Sequence, residues 1–579
     1  MLALVGLAAV VSLAGLGVLY FVMSRGPSVP GEVTLVLRPG GELHEVVPDD
    51  VLGQVLGDEG QTVRAYVDTL RAAAKDTRVT SVLLVPSTLS LPYWAKVQEL
   101  RDAVLEFRKS GKPVVAFLEY GGDREYYLAT AADKVYLLPA SPLDLTGVAS
   151  YGVFLRGALD RFGVTPDFVH IGDYKTAPNQ LTEKGFTPAD REMTEALNRD
   201  AFEQLVRGIA TGRRKSEAEV RALIDDGPFL PQEALRLGLV DELLYEDQLD
   251  DRIAALATGD SDEVERMEDL DYWRAVDVST RGRHRVAVLY AVGTIASGES
   301  SVEGVGDDVV GSDTFVDQIR DIRDDESIEA IVLRIDSPGG STVASDVIWR
   351  ELSITREEDP SRPLIASMSD LAASGGYYIA MPADAIVAQP ATLTGSIGIF
   401  GGKFVVSGAL DKLGIGAEAI THGRNADIES PFSPFTPAQR EKLQAQMQDF
   451  YDGFVAKVAA SRKTTPERIQ ALAQGRVWTG QQARERGLVD ALGGLDVAVA
   501  LAKARAKIPA DEDVELVVYP ARRSLYEALR EQFGSAGGAG LFARMVGRQG
   551  TRALAGATAS ARLFRRGEPL ALMPFAFIR

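Results

Sequence analysis

The chain has 579 residues, 46% of them apolar, which is enough for several domains with sizeable cores. It contains no cysteine, and this excludes disulfides, thiol nucleophiles and cysteine-ligated zinc or iron–sulfur sites. The formal net charge of −20 argues against nucleic acid as a partner, because such a chain repels phosphate. The four histidines are scattered without HExxH spacing and no phosphate-binding glycine motif occurs, so neither a metal nor a cofactor is predicted.

The first element is an unbroken run of apolar and small residues from Met1 to Met23, ahead of the first charged side chain at Arg25. As a helix, this run would be about 35 Å long, enough to cross a bilayer core of about 30 Å. A cleaved secretory signal is the alternative, but the run is long for one and lacks a basic start and a clear A-x-A site. We therefore predict a retained membrane anchor over residues 1–24, whose orientation the few flanking charges do not determine.

The rest of the chain repeats itself. Residues 126–129 (YYLA) recur at 377–380 (YYIA), 251 positions later, and residues 238–241 (GLVD) recur at 487–490, 249 positions later. Such steady offsets predict a tandem duplication. The predicted divisions are a first repeat over 25–258, a linker over 259–283, a second repeat over 284–520 and an arginine-rich extension over 521–579.

Within each repeat, short apolar strands alternate with helical stretches, which predicts an α/β fold with largely parallel sheets. The clearest predicted elements are strands at 81–85, 113–118, 330–335 and 363–368, and helices at 341–355 and 437–461. The two tyrosine pairs of the repeated motif are expected in the cores. The extension has ten arginines and no lysine. It is predicted to be a solvated tail or a helical arm that packs on a neighbour or, alternatively, to contact anionic lipid headgroups.

Two glycine-bearing loops follow successive strands of the second repeat. In residues 336–340 (DSPGG), Gly339 and Gly340 allow backbone N–H groups to turn toward a ligand, as stabilisation of an oxyanion requires. In residues 374–378 (SGGYY), Ser374 opens a helix and lies beside free N–H groups. An ordinary turn and an N-cap serine are the alternatives for either loop alone. Because no histidine is suitably placed, the predicted base is a lysine with a pKa lowered by burial.

Together with residues 393–398 (LTGSIG), these motifs resemble the long-form bacterial signal peptide peptidases (protease IV, peptidase family S49). The resemblance covers nearly the whole chain and implies two ClpP/crotonase-like domains with one Ser/Lys dyad. It assigns Ser374 as the nucleophile and Lys175, in residues 172–177 (GDYKTA), as the general base. Ser396 corresponds to a serine that hydrogen-bonds the lysine amine.

The oxyanion hole of that family corresponds to the backbone N–H groups of Gly340 and Gly375, with Gly339 as adjacent support. The repeat offers an independent check on this assignment. At an offset of 251, the position equivalent to Lys175 is Ala426 and the position equivalent to Ser374 is Asp123. Each repeat lacks the half-site that the other retains, which predicts one composite site.

The resulting hypothesis is a membrane-anchored serine endopeptidase. By resemblance, its partners are hydrophobic signal-peptide fragments as substrate, membrane lipid around residues 1–24 and three further copies in a homotetramer. The resemblance also implies a single-pass protein of the cell inner membrane with its soluble part on the periplasmic or outer side. Two alternatives stay open: a crotonase-type acyl-CoA hydratase or isomerase, which would use carboxylates and not need Ser374, and a catalytically inactive membrane scaffold.

Overall fold

The computed structural model of the protein describes residues 27–46, 62–90, 92–257, 264–276, 282–300, 308–520, 569–573 and 577–578. The predicted anchor over 1–24 and most of the extension over 521–579 lie outside the described residues. Within the described ranges, no helix is both long and apolar enough to cross a membrane. The predicted tandem α/β organisation with largely parallel sheets is confirmed.

In the described residues, the first repeat contains ten strands, six of which form its main sheet. Its strands, in chain order, are β1 (Val33–Leu37), β2 (Val79–Leu84), β3 (Val114–Leu118), β4 (Gly121–Gly122), β5 (Lys134–Leu137), β6 (Leu143–Asp144), β7 (Ser150–Tyr151), β8 (Thr165–Ile171), β9 (Glu242–Leu243) and β10 (Arg266–Glu268). The sheet has the order β10-β1-β2-β3-β5-β9, and every pair in it is parallel. All residues of β1, β2 and β3 are buried, as expected where helices cover both faces of a parallel sheet.

The helices of the first repeat connect these strands and cover the sheet. They are Val63–Lys75, Ala95–Arg108, Asp123–Ala129, Arg156–Phe162, Asn179–Thr182, Pro188–Arg213, Glu217–Asp226, Pro231–Arg236, the short 3-10 helix Glu246–Gln248, Leu249–Ala254 and Asp269–Ala275. The longest begins at Pro188 and is capped by Thr187, whose side chain accepts a hydrogen bond from Asp190 N.

The second repeat has the same strand order. Its strands are β11 (His284–Val292), β12 (Thr294–Ala296), β13 (Val309–Gly311), β14 (Ile328–Ser337), β15 (Gly339–Ser341), β16 (Leu364–Ala373), β17 (Ala385–Ala388), β18 (Leu393–Gly395), β19 (Ile399–Val405), β20 (Val477–Thr479), β21 (Ala491–Leu492) and β22 (Val514–Tyr519). The parallel core β22-β11-β14-β16-β17-β21 repeats β10-β1-β2-β3-β5-β9 strand for strand. Strands β18 and β20 extend this sheet beside β16.

The helices of the second repeat again lie between the strands. They are Ser312–Asp324, Thr342–Glu358, Gly375–Ala380, Ser407–Lys412, Pro437–Ser461, Pro466–Leu472, Gly480–Glu485 and Leu495–Arg505. The predicted helix over 437–461 is observed with the same bounds, because Thr436 caps its first turn together with Gln439. The strands expected at 330–335 and 363–368 fall on β14 and β16.

Equivalent side-chain contacts accompany the equivalent strands. The hydroxyl of Tyr126 donates to the carbonyl of Leu239 at 2.6 Å, and the hydroxyl of Tyr377 donates to the carbonyl of Leu488 at 2.9 Å. Both tyrosine pairs of the repeated motif are buried, as predicted. The duplication therefore extends from the sequence to the hydrogen bonds that hold each core together.

The predicted linker over 259–283 contains regular structure. Strand β10 pairs with β1, and β22 pairs with β11 at the equivalent edge of the second sheet, so β10 completes the first repeat rather than connecting two domains. Tyr272, in the helix that follows β10, is fully buried in the first core. Only three residues of β10 pair with β1, too short a run for apolar periodicity to reveal.

A third sheet joins the two repeats. Two short strands of the extension are described, β23 (Leu570–Leu572) and β24 (Phe577–Ile578). The third sheet has the order β13-β12-β15-β23-β19-β8, so β8 of the first repeat and β23 of the extension both belong to it. Strand β8 runs antiparallel to β19, with Ile171 opposite Ile399. This pairing brings the residues that follow β8 into the second repeat.

Candidate active site

The segment that carries Lys175 is held against the second repeat by its backbone. It leaves β8 through Gly172, whose φ of +103° is in the region that favours glycine. The amide of Tyr174 then donates to the carbonyl of Gln474 at 2.8 Å. A methyl group on Gly475 would overlap the backbone of Lys175, so the glycine permits this close approach. The backbone next to Lys175, in the first repeat, is thus packed directly against residues 474–475 of the second repeat.

Ser374 lies at the turn between β16 and the helix Gly375–Ala380. Its backbone has φ 56° and ψ −112°, an uncommon conformation for a residue with a side chain. The amide of Ser374 donates to the carbonyl of Gly395 at 2.8 Å, which ties the turn to β18. Ser396, the next residue after β18, also has a positive φ, of 49°. Two strained serines on adjacent loops therefore face the incoming lysine.

The structure brings the three predicted side chains together. Lys175 Nζ lies 2.8 Å from Ser374 Oγ, 3.0 Å from Ser396 Oγ and 3.0 Å from the Ser396 carbonyl oxygen. All three residues are 0% exposed. A neutral amine has two N–H groups and one lone pair. If the two N–H groups donate to Ser396, the lone pair is left for the hydroxyl proton of Ser374.

Burial determines the charge of the lysine. Removal from water disfavours the ammonium form and lowers the pKa of Lys175 well below its usual range. A protonated lysine could not accept a proton from Ser374, whereas a neutral one can act as a general base. The arrangement therefore has the contacts of a Ser/Lys dyad, and burial shifts the lysine toward the neutral form that a base requires.

We expect kcat/KM for peptide hydrolysis to rise with pH and then level off. The rise reports deprotonation of Lys175, and its midpoint should lie well below the usual lysine pKa because burial depresses it. Initial rates measured from mildly acidic to alkaline pH test this expectation. Lys175→Arg should be inactive throughout, since arginine stays protonated. Undiminished hydrolysis well below neutral pH would contradict the assignment.

The three glycines predicted at the oxyanion position also lie together. Gly339 and Gly340 have φ of +98° and +156°, conformations that other residues rarely adopt. A methyl group on Gly375 would lie 3.1 Å from Gly340 N, and a methyl group on Gly339 would lie 2.6 Å from Gly375 N. The amides of Gly340 and Gly375 thus border one small space next to Ser374, where side chains would not fit.

The first repeat shows what has replaced the equivalent site. Asp123, the counterpart of Ser374, accepts hydrogen bonds from the amides of Thr146 and Gly147 at 3.0 and 2.9 Å. Leu89, the counterpart of Gly340, donates its amide to the buried carboxylate of Glu125 at 2.6 Å. In the first repeat, a carboxylate oxygen therefore takes up the amide that is equivalent to Gly340 N.

Sequence reasoning missed a buried lysine behind the two active loops. Lys96, from the first repeat, lies with its Nζ 2.7 Å from Asp336 Oδ2 and 3.7 Å from Asp370 Oδ2. Asp336 also accepts from the amide of Leu371 at 3.0 Å. Burial alone would lower the pKa of Lys96, but the two carboxylates raise it above its usual range. Lys96 is thus a charged positioning residue for the loops that end at Gly340 and Ser374.

A second buried cluster lies beside it. Arg334 makes paired hydrogen bonds of 2.8 Å with the Glu45 carboxylate and one of 2.6 Å with Glu99. Burial opposes ionisation of Glu45, but Arg334 and Lys96 lower its pKa to about 2. One arginine within the apolar run at 330–335 was the available signal for this cluster. Both carboxylates come from the first repeat, so the cluster links the two repeats.

Comparison with known proteins agrees with this architecture. The chain matches Peptidase family S49 twice, over residues 106–259 and 356–509, once in each repeat. It is 34% identical over 452 residues to the chloroplastic serine protease SPPA of Arabidopsis thaliana, and this alignment covers 77% of this chain and 66% of that protein. It is 35% identical over 452 residues to Protease 4 of Salmonella typhi, covering 76% of this chain and 72% of that protein.

A shorter relative matches part of the chain. The putative signal peptide peptidase SppA of Enterococcus faecium is 35% identical over 179 residues, 31% of this chain and 52% of that protein. The chain spans about two thirds of the length of the two longer relatives. With two family matches, one in each structurally equivalent repeat, the chain belongs to peptidase family S49.

Proposed function

We propose that the chain is a serine endopeptidase with one composite site per pair of repeats. The observation that supports this most strongly is the 2.8 Å separation of Lys175 Nζ and Ser374 Oγ inside a fully buried site. Family membership favours the same activity over an acyl-CoA hydratase or isomerase and over an inactive scaffold.

The proposed reaction has two stages. Ser374 Oγ attacks the peptide carbonyl while Lys175 Nζ takes the hydroxyl proton, and the amides of Gly340 and Gly375 stabilise the oxyanion. Lys175 passes that proton to the departing amine as the peptide C–N bond breaks, which leaves an ester on Ser374. Water then attacks the ester, again with Lys175 as the base, and releases the acid product and the free serine. Ser396 orients the amine through its two oxygens.

We propose hydrophobic signal-peptide fragments as the substrates. A neutral lysine requires a site sheltered from water, and an apolar peptide segment would preserve that shelter. The Enterococcus faecium relative, a putative signal peptide peptidase, also points to signal peptides. In this account the substrate lies extended along the edge of a ClpP/crotonase-type domain.

The peptidase proposal is tested by adding two peptides to the full-length chain in detergent. One has a hydrophobic signal-like sequence, and the other is a polar peptide of equal length. Mass spectrometry should show internal cleavage of the first at a rate several-fold above the second, and Ser374→Ala should show none. If the parent hydrolyses neither peptide, or if Ser374→Ala cleaves as well as the parent, the proposal is wrong.

Anchoring and assembly are proposed on separate grounds. The apolar run over residues 1–24 supports a single-pass anchor in the inner membrane with the peptidase on the outer side. Phe162 ends the helix Arg156–Phe162 and Leu413 follows the adjoining helix Ser407–Lys412. Their exposures of 69% and 72% support burial against further copies in a homotetramer. Release into the soluble fraction on deleting 1–24 tests the anchor. Light scattering of the purified chain tests the number of copies.

A further inference from the structure

The extension provides a strand next to the oxyanion glycines. Strand β23 lies between β15 and β19, where it closes the gap between two strands of the second repeat. It runs antiparallel to β15, with Leu572 opposite Gly339 and Ala571 opposite Gly340. A peptide substrate of a site built on β15 would be expected to bind as an added strand of this kind.

The hydrogen bonds fix the register of this strand. The amide of Met573 donates to the carbonyl of Pro338 at 2.9 Å, and the amide of Thr342 donates to the carbonyl of Pro569 at 3.4 Å. Hydrogen-bonded pairs alternate along an antiparallel ladder, so the pair between these two, Gly340 and Ala571, is also hydrogen-bonded. The Ala571 carbonyl therefore faces the Gly340 amide.

The same carbonyl borders the predicted oxyanion position. A methyl group on Gly339 would overlap the Ala571 carbonyl oxygen and would lie 2.6 Å from Gly375 N. In the first repeat, the amide equivalent to Gly340 N binds a carboxylate oxygen of Glu125. In both repeats, an oxygen atom of the chain itself thus faces the equivalent backbone amide.

The burial of its side chains shows that β23 fills the groove between β15 and β19 rather than resting on a surface. Leu570, Ala571, Leu572 and Met573 are all at most 4% exposed. Leu570 and Leu572 pack against Phe400, while Met573 belongs to the core shared by the two repeats. A second peptide could not occupy this space without displacing the strand.

We propose that residues 569–573 are an intramolecular occupant of the substrate groove, bound with Ala571 where the residue before the cleaved bond would lie. The inference rests on the peptidase function proposed above. A substrate then competes with the strand, which raises the apparent KM and leaves kcat unchanged. If the strand occupies the groove about nine-tenths of the time, KM is raised about tenfold.

The test measures kcat and KM of the full-length protein with the hydrophobic peptide described above. Ala571→Arg places a long charged side chain at a position that is 0% exposed, and a second variant lacks residues 569–579. Both should lower KM several-fold, toward the tenfold limit, with kcat within about twofold of the parent. Ala218→Arg makes the same substitution on an exposed helix and should leave both constants unchanged.

The outcomes separate the two proposals. A parent without peptidase activity overturns the proposed function itself. An active parent whose KM is the same in Ala571→Arg and in the deletion variant overturns the groove occupant alone. A fall in kcat with unchanged KM in both variants also overturns it, because the strand would then support the site rather than block it. A fall in KM with kcat retained supports it.

Discussion

Ser374→Ala and Lys175→Met should each reduce kcat/KM by about 10⁴-fold or more, because removing either member of a nucleophile–base pair removes the activated hydroxyl. The effect should be as large for the lysine as for the serine, although the two residues come from different repeats. Peptide hydrolysis by purified variants tests this, with circular dichroism to verify the fold. Lys184→Met serves as the control, since the Lys184 side chain is 72% exposed and should not affect the rate.

The same lysine variant has an expected effect on stability. Folding buries Lys175 as a neutral amine, whereas the unfolded chain holds its proton up to a pKa of about 10.4. Between the lowered pKa and that value the unfolded state binds the extra proton, so the contribution of Lys175 to stability increases with pH. Lys175→Met should lack this increase and unfold at the same or a higher temperature near neutral pH. Clear destabilisation by Lys175→Met, or full activity in either variant, would contradict the account.

Arg334→Met should be the most destabilising single substitution in the interface between the repeats. It leaves the buried carboxylates of Glu45 and Glu99 without their cation, and breaking such a cluster costs about 3–5 kcal/mol. The midpoint of urea unfolding measures the loss. Arg252→Met, which breaks an ion pair between two half-exposed side chains, should leave the midpoint unchanged. An unchanged midpoint in Arg334→Met would show that the cluster does not hold the repeats together.

The contribution of Glu45 to the pH dependence of stability has a definite sign. The pKa of Glu45 is lowered to about 2 in the folded chain, below its value of about 4.3 when unfolded. Its contribution to stability is therefore complete above the unfolded pKa and is lost as the pH falls toward 2. The parent should lose stability over that window more steeply than Arg334→Met.

The repeated α/β fold could be predicted because several sequence signals agree: apolar strands, helix caps and matched motifs all recur at a steady offset. The sequence also predicted which side chains meet, but from family motifs and the repeat offset rather than from periodicity. The contact of Lys175 with Ser374 depends on β8 pairing with β19, and no local pattern encodes a pairing between strands more than 200 residues apart.

Two other features could not be predicted from local sequence patterns, because they too depend on contacts between segments that are far apart in the chain. The Glu45–Arg334 pair joins positions 289 residues apart. The one sequence signal for it was an arginine within an apolar run that predicts a buried strand. Strand β23 comes from an extension that was predicted to be a solvated tail, a helical arm packed on a neighbour or a lipid contact, yet Leu570 and Leu572 are buried in a strand of the third sheet. Burial of a short apolar segment depends on a surface built elsewhere in the chain.

The central claim is that the amine of Lys175 activates the hydroxyl of Ser374. A fluorophosphonate tests it directly, because Ser374 Oγ would form a bond to phosphorus as fluoride leaves. Peptide mapping by mass spectrometry locates the adduct and gives its rate of formation at each pH. The account predicts modification at Ser374, at a rate that rises with pH in parallel with hydrolysis and is lost in Lys175→Arg. Equal modification of Ser374 with and without the lysine, or hydrolysis that persists when Ser374 is fully modified, would contradict it.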